Sequence, residues 1–469
     1  MPQRVLTPLG FRIKKSPVQP MSWRARITAV FSDSPARGAL LIFLLITLFF
    51  AVLLTMPFSS ADGTITPFHD SLFVATSAVS VTGLSTVNTA DHWSFLGQII
   101  LLCGVQVGGL GILTVATMLT MSVSKQLGLK QKLIAQEGMT TGRLGETGAL
   151  IRVVITTTLV IEALIMLAMT PRFIALEKDF WLGLWHGLFY AVSAFNNAGF
   201  LSHTNGLADF GNDAYISTVI AIAVMIGGLG FPVIMVLLKY RWDLRRWNLH
   251  TRMTVEVTLI LFVLGALAYG FFEWSNPATM GDKPLIEKIG LSLFASTAAR
   301  SSGFNIVDIN EQLPQTLLLT DALMFVGGGA ASTAGGIKVT TFAVIVLAIV
   351  AEARGSQDAT AYHRRLPQGA IRVAVAVLAL GSTMVLVGTL ALTTISGETL
   401  QRPLFEAISA FGTCGLSTGF SAELPPSGKY VLTALMFFGR LGTITFASAL
   451  AMRQRRTMYR YPEERPIIG

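Results

Sequence analysis

The chain has 469 residues, of which 52% are hydrophobic and only 13% charged, against roughly 25% charged in soluble domains. A mean hydropathy of +0.61 places it among polytopic membrane proteins rather than soluble enzymes. The formal charge of +9 sits in short segments between apolar runs, a membrane pattern and not a nucleic-acid footprint, so no nucleic-acid partner is expected.

Residues 1–37 form a basic N-terminal arm carrying Arg4, Arg12, Lys14, Lys15, Arg24, Arg26 and Arg37 against Asp33 alone. The apolar run after it is long enough to span, so the arm is not read as a cleavable signal. A spanning helix needs about 20 apolar residues. Eight runs qualify: 38–56, 95–123, 149–169, 214–238, 252–272, 316–350, 369–395 and 428–452. The run at 316–350 is too long for one crossing and is interrupted by glycines. Shorter apolar pieces at 71–82, 182–195, 287–299 and 403–413 cannot cross and read as re-entrant half-helices.

Sidedness follows from charge. Connections at 124–148, 239–251 and 351–368, and the tail 453–469, are basic; segments 57–70, 84–94, 201–213 and 304–315 contain no Lys or Arg. Both termini are therefore expected in the cytoplasm of a multi-pass cell-membrane protein. The linker 124–148 reads either as a helix on the cytoplasmic surface or as a docking site.

One pattern recurs four times. "LFVATSAVSVTGLS", "LFYAVSAFNNAGF", "LFASTAARSSGF" and "LFEAISAFGTCGLS" align on Gly83, Gly199, Gly303 and Gly415. Six residues before each stands Ser77, Ser193, Thr297 or Ser409, and an aromatic lies nine or ten before, at Phe73, Phe189, Phe294 and Phe405. A small-residue marker follows each glycine: "GGLG" at 108–111 and 227–230, "GGGA" at 327–330 and "GRLG" at 439–442. The unit is span, half-helix, glycine loop, span, which divides the chain into pore repeats 38–123, 149–238, 252–350 and 369–452. Two spans per unit give all four the same orientation, whereas inverted-repeat carriers require opposed halves. The expected fold is thus all-α: eight spans and four half-helices around one pseudo-fourfold pore.

Like-oriented loops can surround an axis and present backbone carbonyls to a cation. Irregular backbone at membrane depth is tolerated only where it lines a cavity or is buried in protein. Glycine permits φ > 0 and close approach, and the C-terminal dipole of each half-helix favours a cation. Candidate filter residues are Val81, Thr82 and Gly83; Asn196, Asn197, Ala198 and Gly199; Ser301, Ser302 and Gly303; and Thr413, Cys414 and Gly415. They carry no carboxylate ring, so carbonyls are the better ligands. The marker glycines read as helix-packing positions.

With "SAVSVTGLS", "SAFNNAGF", "RSSGFN", "GTCGLSTGF" and "GGGAASTAGGIK", the chain resembles the Trk/Ktr/HKT superfamily of potassium transporters, above all its Ktr-type (KtrB-like) membrane subunits. The resemblance runs from about residue 38 to the C-terminus. It implies K+ as the transported ion, no organic cofactor on this chain, no enzymatic activity, a homodimer and a cytoplasmic RCK-type nucleotide-binding regulatory subunit. It places a K+ filter at the four glycines; some plant relatives carry Ser at the first and prefer Na+, so Gly83 argues for K+. A Na+-selective or Na+-coupled transporter of the same family is the nearest alternative, and an alternating-access carrier a more distant one. The resemblance also implies an intramembrane gate at Gly327, Gly328, Gly329, Ala330, Ser332, Thr333, Gly335, Gly336 and Lys338, and the tail "YPEERPIIG" is similar to tails packed at a dimer interface. The residues agree: "GGGAASTAGG" cannot hold a regular helix at bilayer depth, and it lacks the GK[ST] ending of a phosphate loop.

Intramembrane charges are functional candidates by default. Arg440 is expected to face the pore below the filter, as an electrostatic barrier or a clamp on the gate loop. Arg300, next to a cation filter, is expected behind it, paired with an acid such as Glu162 or Glu406. Asp70 reads as an N-cap of the first half-helix, and Asp321 as an interfacial residue. His92, His186 and His203 stand at no metal-ligand spacing and read as interface histidines. Cys103 and Cys414, the only cysteines, make no disulfide framework and no CxxC pair.

Overall fold

The structure is a computed structural model and describes residues 35–126, 147–211, 213–241 and 243–452. Most of the expected basic arm, most of the linker between the first two repeats and the C-terminal tail lie outside the described residues.

Four helix trios follow one another. The first is α1 (Pro35–Thr55), α2 (Phe68–Ser80) and α3 (Phe95–Gln126). The second is α4 (Thr147–Glu177) and α5 (Phe180–Phe195), then α6 (Ala214–Leu229) continued by α7 (Phe231–Tyr240). The third is α8 (Leu249–Glu273) and α9 (Leu285–Ala298), then α10 (Pro314–Phe325) and α11 (Val339–Ala353). The fourth is α12 (Gln368–Ser396), α13 (Gln401–Gly412) and α14 (Pro426–Met452). The four expected half-helices are thus helices of 12 to 16 residues, within a few residues of the expected bounds.

Among the described residues, three helices are long and apolar enough to cross a membrane: Arg152–Glu177, Leu249–Glu273 and Gln368–Ser396. The span expected at 214–238 is not one helix. It bends by 102° between α6 and α7, at Gly230, whose φ of 93° and ψ of 145° are accessible essentially to glycine alone. Pro232 then sits in the first turn of α7, where its missing N–H costs nothing.

In the first, second and fourth trios the half-helix packs against both longer helices, as α2 does against α1 and α3; in the third, α9 packs on α8. Contacts also run between trios: α3 touches α5, α6 touches α9, α10 touches α13, and α14 returns to α2. The half-helix aromatics Phe73, Phe189 and Phe405 are at most 1% exposed and anchor this interior. Outward faces are apolar and open, with Leu167 at 68%, Leu267 at 66% and Phe271 at 80% exposed. Exposed large side chains on long apolar helices are solvated by lipid rather than water.

A two-stranded antiparallel ribbon, β1 (Thr360–Ala361) and β2 (Arg364–Arg365), joins the third and fourth trios. The Tyr362 hydroxyl donates to Glu256 of α8, and the Arg252 guanidinium lies 4.7 Å from the Tyr362 ring. Burial, with the Glu256 carboxylate, pushes the Tyr362 hydroxyl up to about 12.

Candidate functional site

Each half-helix ends in the same backbone form. Two residues before each aligned glycine stands a non-glycine residue at positive φ: Val81 at 56°, Asn197 at 59°, Ser301 at 83° and Thr413 at 45°. The glycines themselves have φ of 93°, 69°, 68° and 94°. Left-handed β-branched or bulky residues cost energy and persist only where surroundings over-determine them. The serine six residues upstream supplies one constraint. Ser77 Oγ accepts from Gly83 N at 3.0 Å, and Ser409 Oγ from Gly415 N at 3.1 Å. In the second loop Ser193 Oγ donates instead to the Phe200 carbonyl at 3.0 Å. The third loop departs, because Thr297 bonds back to Leu293 within its helix.

The four loops meet. A Cβ added to Gly83 would strike the Ala198 carbonyl; on Gly199 it would lie 2.5 Å from the Ser302 carbonyl, and on Gly303 2.9 Å from that of Cys414. On Gly415 it would strike the Thr82 carbonyl, returning to the first loop. Each candidate filter glycine therefore abuts the backbone of the next unit, and the circuit closes in chain order. Val81, Thr82, Asn196, Asn197, Ala198, Ser301, Ser302, Thr413 and Cys414 are all buried.

The marker glycines serve close packing. Gly108 faces the Val79 carbonyl, Gly227 that of Phe195 and Gly439 that of Phe411, always the residue four before the filter glycine. The third marker opens instead into the loop 327–338. This loop is ordered by its own backbone: Gly327 N donates to Ile337 O at 2.9 Å and Val339 N to Gly328 O at 3.0 Å. It reaches the candidate filter loop of its own unit and also the second and fourth units. Gly335 N donates to Ser301 Oγ at 3.3 Å, Thr333 Oγ1 to the Phe195 carbonyl at 3.3 Å, and Gly329 N to the Gly228 carbonyl at 2.8 Å. Gly335 also packs on Thr413, and Gly336 (φ 64°) on Gly412. Ala330 and Ala331 fill the bend at Gly230, where Phe231 N donates to the Ala331 carbonyl at 3.1 Å. Ser332 Oγ donates to Gly329 O at 2.7 Å and Lys338 Nζ to Ala334 O. Arg440, 1% exposed, donates to the Thr333 carbonyl, so its side chain holds this loop.

Three charged residues depart from expectation. Arg300 pairs with neither Glu162 nor Glu406; it donates to the carbonyls of Thr258 at 3.0 Å and Gly327 at 3.5 Å. Glu162 accepts from Asn196 Nδ2 at 2.8 Å and Gln106 Nε2 at 3.0 Å, bracing the second loop from behind. Glu406 accepts from Thr418 N at 3.0 Å and from Ser417, bracing the chain beyond the fourth. Asp70 caps nothing: Pro67 holds the N-cap position, and Asp70 forms a buried ion pair with Lys429 of α14 at 2.6 Å. Asp321 is buried on α10. Two of the three histidines are not isolated: the ligand atoms of Glu177, His186 and His203 lie within 4.8 Å of one another. Gly230, the last glycine of the second marker, marks a bend rather than a packing position, in keeping with Gly-Phe-Pro inside an apolar run as a break signal.

Long apolar helices around a buried centre of irregular backbone are the build of a helical membrane transport protein. The chain belongs to the TrkH family, described as cation transport protein, which matches residues 42–458. It is 34% identical over 419 residues to the Ktr system potassium uptake protein B of Bacillus subtilis, covering 89% of this chain and 93% of the relative. It is 33% identical over 436 residues to the potassium/sodium uptake protein NtpJ of Enterococcus hirae, covering 91% and 95%. The crystal structure of the potassium transporter TrkH from Vibrio parahaemolyticus superimposes with a TM-score of 0.67 at 17% identity, over 86% of this chain and 83% of that one.

Proposed function

We propose that this chain is the K+-translocating subunit of a potassium uptake system in the cell membrane, channel-like, with four like-oriented repeats around one pore. The closed circuit of Gly83, Gly199, Gly303 and Gly415 carries this reading. K+ exchanges part of its water for carbonyls of Thr82–Gly83, Asn197–Gly199, Ser301–Gly303 and Thr413–Gly415. The half-helix C-termini add partial negative charge at the same centre. Beneath it, the loop 327–338 restricts flow while Arg440 and Lys338 hold its carbonyls; two cations below a cation filter also raise an electrostatic barrier. Eight crossings, counting the broken pairs α6/α7 and α10/α11 as one each, put both termini in the cytoplasm. A homodimer with an RCK-type nucleotide-binding regulatory partner fits a relative named as part of a Ktr system.

The name of the Enterococcus relative favours one second reading, in which Na+ shares or drives the path. Gly83, where some plant relatives carry Ser, weighs against it. One experiment separates them. In a K+-uptake-deficient cell, the protein with a regulatory partner restores growth at low K+, and Gly83→Ser abolishes K+/Na+ discrimination. No rescue by the wild type removes the K+ reading, and unchanged discrimination in Gly83→Ser removes the filter assignment. Deleting residues within 330–335 raises flux; unchanged flux takes the loop out of the mechanism.

A further inference from the structure

We infer that Glu177, His186 and His203 form a binding site for one divalent transition-metal ion of the zinc class, beside the second filter loop. Glu177 ends α4, His186 lies in the second turn of α5, and His203 follows Gly199 by four residues. Three separate segments thus converge on one point. Glu177 Oε1 lies 3.2 Å from His186 Nδ1 and 2.8 Å from His203 Nε2, and the three ligand atoms fall within 4.8 Å of one another. Metal–nitrogen and metal–oxygen bonds of about 2.1 Å need ligand atoms roughly 3 Å apart, so small side-chain shifts admit an ion.

The surroundings favour metal. The imidazole centroids are 4.0 Å apart, and His203 is held between Phe173, stacked at 6.0 Å, and Phe210 at 4.7 Å. The Tyr190 hydroxyl sits 2.9 Å from His203 Nδ1. With Nδ1–H donating to that oxygen, Nε2 turns its lone pair to the site, which is how outer-shell partners fix a ligating tautomer. His186 can ligate through Nδ1 with its proton on Nε2. Both histidines ligate as neutral tautomers. The Glu177 side chain is 20% exposed, which leaves solvent access and room for water ligands. Two imidazoles and one carboxylate suit Zn2+, Co2+ or Ni2+, and suit neither K+ nor Mg2+.

Occupancy would tie α4, α5 and the chain leaving Gly199 into one unit. Tyr190 also packs on Phe304, the residue after Gly303, at 6.3 Å, so the effect reaches the second and third filter loops. Metal at this site slows ion uptake by stiffening the filter mouth.

The test is Co2+ titration of the purified full-length protein in detergent, read by visible ligand-field absorption and independent of which ion is transported. The wild type binds one Co2+ per chain, displaced by Zn2+. His186→Gln and His203→Gln each weaken binding by more than the ~10- to 100-fold typical of losing an outer-shell partner, and the double variant shows no saturable site. Tyr190→Phe keeps every ligand and weakens binding about 10-fold, which guards against misfolded histidine variants. Added Zn2+ slows uptake by the wild type and not by His203→Gln. Absence of saturable Co2+ binding to the wild type, or equal binding by the double variant, overturns the site.

Discussion

The backbone N–H of Phe231 donates to the carbonyl of Ala331 at 3.1 Å, across the bend that separates α6 from α7. A break in the second unit is therefore filled by the loop of the third. Gly230 makes the fit possible, because a Cβ there would lie 2.5 Å from the Ala330 carbonyl. Gly230→Ala adds both that clash and a backbone cost of about 1–3 kcal/mol. The expected result is a displaced loop, raised K+ flux and a lowered melting temperature in detergent. Normal flux with normal stability would disconnect the bend from the gate.

The four glycines of the proposed filter are not equally crowded. An added Cβ strikes a carbonyl directly at Gly83 and Gly415, and lies 2.9 Å from one at Gly303. Alanine should therefore harm K+/Na+ discrimination most at Gly83 and Gly415 and least at Gly303. A tenfold loss corresponds to about 1.4 kcal/mol of differential ion binding. Competitive uptake of the two ions by the alanine series checks the order, and a reversed ranking would count against the ring.

Asp70 and Lys429 clasp the first half-helix to the last span at 2.6 Å, with both side chains nearly buried. Removing one partner of such a pair strands the other, at about 3–5 kcal/mol. Lys429→Met should lower stability by that amount. Asp70→Asn with Lys429→Met should recover most of it, because replacing both charges is often nearly neutral. Thermal unfolding of the singles and the double measures the coupling, and additive losses would show that no clasp exists.

Glu162 braces the second of the four glycine loops through Asn196 and Gln106. Glu162→Ala takes the acceptor from the half-buried Gln106 amide, at about 1–3 kcal/mol, while Asn196 Nδ2 keeps only Gln106 Oε1 and the Val192 carbonyl. The half-saturating K+ concentration is expected to rise about tenfold, while Glu162→Gln, which keeps one acceptor oxygen, has the smaller effect. Uptake kinetics at matched protein level decide, and identical kinetics in Glu162→Ala would assign the residue to folding alone.

The half-helices were legible because short apolar runs between long ones have few physical solutions, and the recurring glycine fixed where each ends. What failed depended on partners distant in sequence. Asp70 read as a cap because its cation lies 359 residues away. For Arg300 the sequence suggests an acid, because charge is visible there, whereas the Thr258 and Gly327 carbonyls that satisfy it are not. The bend at Gly230 was hidden by an apolar run that hydropathy scores as one span. Glu177, His186 and His203 share no motif spacing, since a helix end, a half-helix and a loop deliver them.

The return of α14 to α2 has a consequence for synthesis. A chain made from its N-terminus inserts three units before the fourth wall exists. Until Gly415 reaches Thr82, and Lys429 reaches Asp70, the first three loops enclose no complete ring. Loop and clasp arrive together, late, with Arg440 following 11 residues after Lys429. Arg440, whose side chain donates to the Thr333 carbonyl in the loop 327–338, is thus translated almost as soon as the ring of four loops can close.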